Sequence, residues 1–306
     1  MSMRGILITG ASGFVGRHVV RLCAARGWSA WAWTRDVART RARLGSQAQV
    51  VSRLEEIPAD APIDAIVNLA GAQVIGPPWT QARRRLLIDS RVKTTDAAIV
   101  WSGRRAARPR VIISASAIGF YGPAQDEWLD ESSPPQPQTF QSQLCIAREQ
   151  AANAAKHLDM RVVNLRLGLV LGADGGILPR LALPAKLGMA AVIGDGQQWM
   201  SWIHLEDLLR IIELALADES VEGAVNAVAP GPVRQREFQR ALTQKLHRPL
   251  WLRVPAFALR AALGEMAELL VRGQRVKPLR LSERGFEFRH PALEGALADL
   301  LKPARS

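Results

Sequence analysis

Cysteine is scarce in this chain of 306 residues, where only Cys23 and Cys145 occur, far apart in sequence. Two cysteines without a Cys-x-x-Cys spacing exclude a disulfide framework and a thiolate zinc site. The chain also lacks an apolar run near the roughly 18 residues that a membrane span needs. It starts with a strand-like segment and no cleavable apolar leader, so we expect a cytoplasmic location and no membrane partner.

Lysine is rare as well. Six of the 40 basic residues are lysines, and the net charge of +12 comes from arginines scattered along the chain. Clustered cations bind phosphate backbones, which makes nucleic acid a candidate partner for a basic chain. No recognition motif accompanies these arginines, and the densest run, residues 83–85, fits a solvated helix face. We therefore expect no nucleic-acid partner and keep that interpretation as the weakest of three.

The first half of the chain alternates short β-branched runs with longer amphipathic segments. This alternation is typical of a parallel sheet with helices on both faces. The predicted strands are residues 5–9, 29–33, 48–51, 65–69, 111–114 and 161–165. Later segments predict a helix at 205–216, a strand at 225–228, an apolar helix at 257–270 and a last helix at 293–301.

These elements predict an α/β fold, a doubly wound parallel sheet of the Rossmann type with a smaller α+β C-terminal domain. At roughly 150 residues per domain, the length predicts two domains. We assign residues 1–166, with about 201–231, to the sheet domain. Residues 167–200 and 232–306 form the smaller domain.

Three glycines, Gly10, Gly13 and Gly16, lie between the first predicted strand and the first predicted helix. In such a turn the first glycine allows the tight bend, the second lets the backbone approach a pyrophosphate, and the third lets helix and strand pack. Unpaired N–H groups at the helix start then bind the anion. The spacing therefore predicts a dinucleotide site, with an ordinary glycine turn as the alternative.

The residues at the end of the second predicted strand indicate which dinucleotide binds, NAD or NADP. A carboxylate at this point would bind the ribose 2′-hydroxyl of NAD. Here the chain has Thr34 and Arg35, and a guanidinium pairs well with a 2′-phosphate. We therefore predict NADP(H), although Asp36 follows directly and Arg35 could instead serve only as a solvated strand end.

Further motifs carry a resemblance to a known family. Residues 68–71, 114–117 and 202–207 resemble those of an extended short-chain dehydrogenase/reductase. Within that group, residues 194–204 and the C-terminal segments at 248–286 resemble the atypical epimerase-like family that ends in a domain of unknown function. Bacterial members often carry names such as sugar-nucleotide epimerase or cell-division inhibitor.

The resemblance implies a Rossmann domain that binds NADP(H) in a cleft between two domains. For Leu69 and Val170, plain core packing is the alternative role. The cofactor-binding residues that the resemblance and the glycine spacing imply are Gly10, Ser12, Gly13, Phe14, Val15, Gly16, Thr34, Arg35, Leu69, Ala70, Gly71, Arg91, Ser114 and Val170.

The catalytic pattern of the family is incomplete. Extended short-chain dehydrogenases use a tyrosine with a lysine four residues later, so that the cation lowers the phenol pKa. The only tyrosine is Tyr121, Gln125 follows four residues later, and the expected helix positions hold Gln141 and Cys145. Two catalytic candidates remain. Ser116 aligns with the serine that would bind a substrate carbonyl, with a turn or cap hydroxyl as the alternative, and Tyr121 is a candidate acid, with a buried structural phenol as the alternative.

No metal is predicted. His204 precedes Glu206 and Asp207, but this segment fits a structural role, and the other histidines lack ligand spacing.

The preferred functional hypothesis is an NADP(H)-binding epimerase- or reductase-like protein that acts on a small polar substrate, with a nucleotide-linked one as a candidate. The alternative is a non-catalytic NADP(H)-dependent sensor or interaction protein linked to cell division. A homodimer through the helices near 80–101 and 141–157 is left open.

Overall fold

The computed structural model describes residues 5–124 and 126–302, so Gln125 lies outside the described residues. The strands in chain order are β1 (Gly5–Thr9), β2 (Ser29–Trp33), β3 (Gln49–Val51), β4 (Ala65–Asn68), β5 (Val111–Ala117), β6 (Trp128–Leu129), β7 (Arg161–Leu167), β8 (Leu169–Gly172), β9 (Gly175–Gly176), β10 (Ala191–Ile193), β11 (Trp199–Met200), β12 (Trp202–His204), β13 (Gly223–Ala227), β14 (Val233–Arg234), β15 (Leu252–Val254) and β16 (Arg275–Val276). The helices are α1 (Phe14–Ala25), α2 (Val37–Leu44), α3 (Gln81–Gly103), α4 (Phe140–Asn153), α5 (Leu178–Lys186), α6 (Leu205–Ala217), α7 (Gln235–Lys245), α8 (Ala256–Leu263), α9 (Glu268–Val271), α10 (Leu279–Glu283) and α11 (Leu293–Leu300).

Seven strands form one parallel sheet in the order β13-β7-β5-β4-β1-β2-β3. The chain moves outward from β1 through β2 to β3 and then returns to β4 on the other side of β1. Thr9 and Asn68 are register partners at the carboxyl ends of β1 and β4. In open α/β sheets, ligands bind in the crevice at such a reversal of strand order.

The central strands are apolar throughout because both faces of the sheet are covered. All five residues of β1 are buried. Ile6 and Ile8 pack into a cluster with Val19 on one face, and Leu7 packs into a second cluster with Ile66 on the other. Burial on both faces is the rule for parallel sheets and produces continuous apolar runs instead of alternation. The predicted doubly wound α/β fold is confirmed.

A third apolar cluster lies outside the main sheet. It is built around Trp202 and Phe238, two of the largest fully buried side chains, and gathers residues from α5, α7 and α11. Short strand pairs such as β10 with β15 belong to the same part of the chain. The division into two domains stays a proposal, and this separate cluster is the observation that supports it.

The predicted apolar helix over 257–270 is wrong. α8 ends at Leu263, and Gly264 follows with φ of +57°, a left-handed conformation that stops the helix. A short 3-10 turn and α9 complete the segment. Among the described residues, no helix combines the length and the apolar character needed to cross a membrane.

Candidate functional site

The turn between β1 and α1 has the backbone geometry that the glycine spacing predicts. Gly10 has φ of +68°, and a Cβ there would lie 2.8 Å from the Leu69 carbonyl. A Cβ on Gly16 would overlap the carbonyl oxygen of Gly10, so glycine is required where α1 passes β1. Gly13 is the exposed N-cap of α1, and no side chain of the described chain caps this helix start. Its first N–H groups are therefore open to an anion.

The Phe14 ring anchors this turn to a distant hairpin. It packs against three glycines of the β8–β9 hairpin, Gly172, Gly175 and Gly176, where any Cβ would meet the ring. In the same hairpin, Asp174 accepts hydrogen bonds from Arg17 through its carbonyl at 2.6 Å and pairs with His18 through its carboxylate at 3.1 Å. This contact was not predicted from sequence, and the glycine-rich stretch at 172–176 was the available signal.

The carboxylate after β2 is engaged in capping a helix. Asp36 Oδ1 accepts a hydrogen bond from the Arg39 backbone N–H at 3.0 Å and so caps α2. Arg35 is exposed, and within the described ranges it forms neither an ion pair nor a side-chain hydrogen bond. Arg43 on α2 donates to the Ser12 carbonyl at 3.0 Å. The Arg43 guanidinium thus contacts the glycine turn. The Arg35 guanidinium lies at the end of the adjoining strand β2 and has no side-chain partner among the described residues.

The ends of β4 and β5 hold a buried polar network centred on Asn68. Its amide donates to Thr95 Oγ1 at 2.8 Å and to Ser114 Oγ at 3.2 Å, and its oxygen accepts from Thr9 Oγ1 at 2.7 Å. Ser114 is fully buried, so the structure favours a structural role over the predicted cofactor contact.

The other residues that were predicted to bind the cofactor differ in how far they are exposed to solvent. Leu69 and Ala70 are half-buried, and Gly71 is exposed in the loop after β4. Val15, Leu69 and Val170 pack against the same apolar cluster of the sheet, which agrees with the packing alternative for Leu69 and Val170. Thr34 is half-buried, and its hydroxyl accepts from Thr40 Oγ1 at 3.0 Å.

A cleft of about 360 Å³ opens at the carboxyl edge of the sheet, between β5, α4 and the segments that follow β7. Ser116, Gln141 and Cys145 line it on the sheet side. Ser116 Oγ is buried and has no hydrogen-bond partner among the described residues. Burial, followed by the nearby Glu149 carboxylate, raises the pKa of the Cys145 thiol to about 11. A nucleophilic thiolate at this position is therefore unsupported.

Two guanidinium groups line the same cleft. Arg91 donates to the carbonyls of Leu87 at 2.9 Å and Ala72 at 3.1 Å, and Arg148 donates to the Asn68 carbonyl at 2.7 Å. Burial lowers the pKa of both, that of Arg148 to about 9, and the two positive charges repel each other. Neither pairs with a carboxylate of the described chain, so this side of the cleft is electropositive. Arg91 was predicted from sequence, whereas Arg148 was missed.

Tyr121 lies apart from the residues that line the cleft. Its side chain is fully buried, and its hydroxyl donates to Asn226 Oδ1 at 2.7 Å and accepts from Arg166 Nη1 at 3.0 Å. Arg166 in turn forms a bidentate ion pair with Glu149. Burial raises the pKa of the phenol to about 12, although Arg166 partly offsets this. The geometry argues against the proton-donor role predicted for Tyr121 and favours a structural one.

Three potential metal ligands, His204, His290 and Asp299, approach one another at the start of α6. The two imidazole rings stack with centroids 3.7 Å apart. His204 Nδ1 accepts the Glu206 backbone N–H at 3.1 Å, so the proton of the neutral ring is on Nε2, which faces Asp299 at 3.5 Å. A protonated nitrogen has no lone pair for a metal. This geometry favours the helix-capping role, and the absence of a metal stays a prediction.

Comparisons with known proteins agree with this architecture. The NAD dependent epimerase/dehydratase family profile matches residues 6–228, and a domain of unknown function, DUF1731, matches residues 254–300. Epimerase family protein YfhF of Bacillus subtilis (strain 168) is 33% identical over 297 residues, which cover 97% of each chain. The chloroplastic SDR39U1 homolog of Arabidopsis thaliana is 34% identical and covers 98% of this chain and 88% of its own.

Solved structures extend the comparison to the fold. Human epimerase family protein SDR39U1 (isoform2), solved with NADPH, superposes with a TM-score of 0.85 at 29% identity over 97% of this chain and 98% of its own. The UDP-glucose 4-epimerase of Thermus thermophilus, solved with NAD, shares the fold with a TM-score of 0.78 at 18% identity over 97% of both chains. The resemblance inferred from sequence is confirmed, and the chain belongs to the NAD dependent epimerase/dehydratase family.

Proposed function

We propose that this protein binds NADP(H) and acts on a small molecule in the cleft beside β5 as a reductase- or epimerase-like enzyme. Two observations on the described residues carry the proposal: no side chain caps the start of α1 at Gly13, and the exposed guanidinium of Arg35 has no partner at the end of the neighbouring strand β2. An open helix start suits a diphosphate, and a free guanidinium suits a 2′-phosphate. The human relative solved with NADPH supports this preference, while more distant neighbours were solved with NAD.

The chain's own residues define what the cleft can do to a substrate. When bound, NADPH supplies a hydride, which together with one proton reduces a carbonyl to an alcohol and leaves NADP⁺. Within the part of the chain that the structure describes, the Ser116 hydroxyl has no hydrogen-bond partner, and we assign it the role of donor to a substrate oxygen. Arg91 and Arg148 provide positive charge that favours a developing negative charge on that oxygen.

Binding of NADPH to the purified protein tests the proposal. Because a ligand that binds only the folded state raises its stability, NADPH should raise the melting temperature and its fluorescence should increase on binding. Gly13→Ala, which puts a methyl group where we place the diphosphate, should weaken both signals. Gly295→Ala in α11, where a Cβ meets no atom within 4 Å, is the matched control. Absence of both signals in the wild type would refute NADP(H) binding.

A second candidate function is a cofactor-dependent sensor or interaction protein without catalysis. The observation in its favour is the cleft itself, which presents Gln141 and a thiol of raised pKa where the family tyrosine and lysine are expected. NADPH oxidation with any carbonyl compound would contradict this candidate. Capture of a purified partner only in the presence of NADPH would support it.

A homodimer through α3 and α4 is also a proposal. Leu86 and Val100 on α3 are about half exposed, at 48% and 54%, and would supply apolar surface to such a contact. Light scattering of the purified protein should then give twice the mass of one chain, and Leu86→Glu should give the mass of a single chain.

A further inference from the structure

The cleft wall opposite the sheet is strongly apolar. It is formed by Ile177, Leu181, Ile193, Met200, Leu269 and Leu270. Val74, Ile75 and Trp79 add apolar surface from the loop before α3. A pocket surface of this composition binds a ligand mainly by removing apolar area from water.

The charged side chains on that wall, Glu265, Glu268 and Arg272, all form ion pairs. Glu268 forms an ion pair with Arg260 at 2.9 Å and another with Arg272, and Glu265 forms one with Arg84. Of the described residues that this wall contributes to the cleft, Arg272 is the only cation. The cations of the described cleft lining without a carboxylate partner, Arg91 and Arg148, lie on the sheet side, where we place the reacting carbonyl. A substrate diphosphate against the apolar wall would therefore have no free guanidinium or ammonium to pair with, and its desolvation would go uncompensated.

Three buried polar atoms of residues that line the cleft have no hydrogen-bond partner among the described residues, and one of them is Nε of Arg148, whose guanidinium is described above. Ser116 Oγ on the sheet side and Gln239 Oε1 on α7 are both buried, and neither has a hydrogen-bond partner in the part of the chain that the structure describes. Buried polar atoms are nearly always paired, and an exception in a cleft points to a ligand that completes the pairing. A hydroxyl donates to a carbonyl oxygen, whereas an amide oxygen accepts from a hydroxyl or an N–H group.

We infer that the substrate is a small, mainly apolar carbonyl compound that carries a hydroxyl or N–H donor and no diphosphate. Its carbonyl oxygen accepts from Ser116, its donor binds Gln239 Oε1, and its apolar body contacts the wall around Leu181. This inference rests on the proposed NADP(H)-dependent function and replaces the polar, nucleotide-linked substrate expected from sequence. The cleft volume of about 360 Å³ lies at the small end of ligand pockets, whose range is roughly 300–1,000 Å³.

The test compares three ketones with NADPH as the reductant: acetophenone, phenacyl alcohol, which adds one hydroxyl to the same framework, and UDP-4-keto-6-deoxyglucose, a nucleotide-linked ketone. We expect NADPH oxidation with both phenyl ketones, a kcat/KM about tenfold higher for phenacyl alcohol, and none with the nucleotide-linked ketone. Gln239→Leu should abolish the preference for phenacyl alcohol over acetophenone. A preference that survives in Gln239→Leu would refute the role of Gln239.

A second variant tests the apolar wall. Leu181→Arg should lower kcat/KM for acetophenone by at least about tenfold, because it places a charge against the apolar body of the ketone. Leu183→Arg changes a side chain that is 63% exposed on the same helix and should have no effect. If both variants lower kcat/KM for acetophenone equally, the ketone does not bind against this wall.

The outcomes separate this inference from the proposed function. NADPH binding is measured first, so a protein that does not bind NADPH refutes the proposed function itself. If NADPH binds and the nucleotide-linked ketone is reduced in preference to the phenyl ketones, only the substrate inference fails. If nothing is turned over, phenacyl alcohol should still raise the melting temperature of the NADP⁺-loaded protein, and no shift would overturn the inference.

Discussion

The carboxylate of Asp36 accepts the backbone N–H of Arg39 at 3.0 Å and closes the first turn of α2. This contact determines what the end of β2 can offer a nucleotide. A carboxylate used as a helix cap is turned toward its own helix, whereas the neighbouring Arg35 side chain is exposed. This arrangement is the reason that we propose NADP(H) as the cofactor.

Replacement of Arg35 should change cofactor selectivity. A hydrogen bond to a charged group contributes about 1.5–3 kcal/mol, so Arg35→Ala should weaken NADPH binding by about 10- to 100-fold. NADH binding should stay nearly constant because NADH lacks the 2′-phosphate. Titration by nucleotide fluorescence measures both. Arg108→Ala, an exposed arginine after α3, is the control, and equal losses for NADPH and NADH would contradict the prediction.

Removal of the Ser116 hydroxyl should separate activity from stability. Because Ser116 Oγ has no hydrogen-bond partner among the described residues, Ser116→Ala should leave the free energy of unfolding in urea unchanged or slightly higher. Loss of a donor to a developing oxyanion should lower kcat by roughly 10²- to 10³-fold. Ser114→Ala breaks the Asn68 network instead and should lower the unfolding free energy by about 1 kcal/mol. Full activity in Ser116→Ala would exclude a role for its hydroxyl.

The single tyrosine makes its phenol directly observable. Ultraviolet titration should show no phenolate until the pH approaches the raised pKa of Tyr121, about 12, compared with 10.0 in the unfolded chain. Between these values the unfolded chain releases a proton that the folded chain keeps. This contribution to the unfolding free energy is therefore complete below pH 10 and is lost as the pH rises toward 12. Ionisation near the unfolded value in the native protein would show that the phenol is exposed.

The buried ion pair between Arg166 and Glu149 should contribute to the free energy of unfolding. Glu149→Gln leaves the Arg166 guanidinium buried without its bidentate partner and should lower the unfolding free energy by about 3–5 kcal/mol. Glu219→Gln, which removes an exposed ion pair with Arg110 at 3.4 Å, should change it by less than about 1 kcal/mol. Urea unfolding measures both variants, and similar effects would mean that water reaches the Arg166 pair.

The sheet was predictable because its strands are continuous apolar runs. The predicted bounds of β2 match the structure, whereas β5 and β7 run three and two residues further, to Ala117 and Leu167. The extension of β5 carries Ser116, and small residues give a weak strand signal. The helix predicted across Gly264 failed because apolar spacing continued on both sides of a residue that needed a positive φ.

The site was only partly predictable. Gly10 and Gly16 could be recognised because the positive φ of the turn at Gly10 and the close approach of Gly16 to the Gly10 carbonyl are local in sequence. Arg148 could not, since its partner carbonyl on Asn68 lies 80 residues away in the chain. Gln239 enters the cleft only when α7 packs beside α5, and no local pattern signals that placement.

The ring of Phe14 makes two distant stretches of this chain dependent on each other. Gly172, Gly175 and Gly176 have no room for even a methyl group while that ring is in place. A smaller residue at 14 would instead leave a void beneath the hairpin. Over evolutionary time, we expect a change at either partner to survive only together with a compensating change at the other.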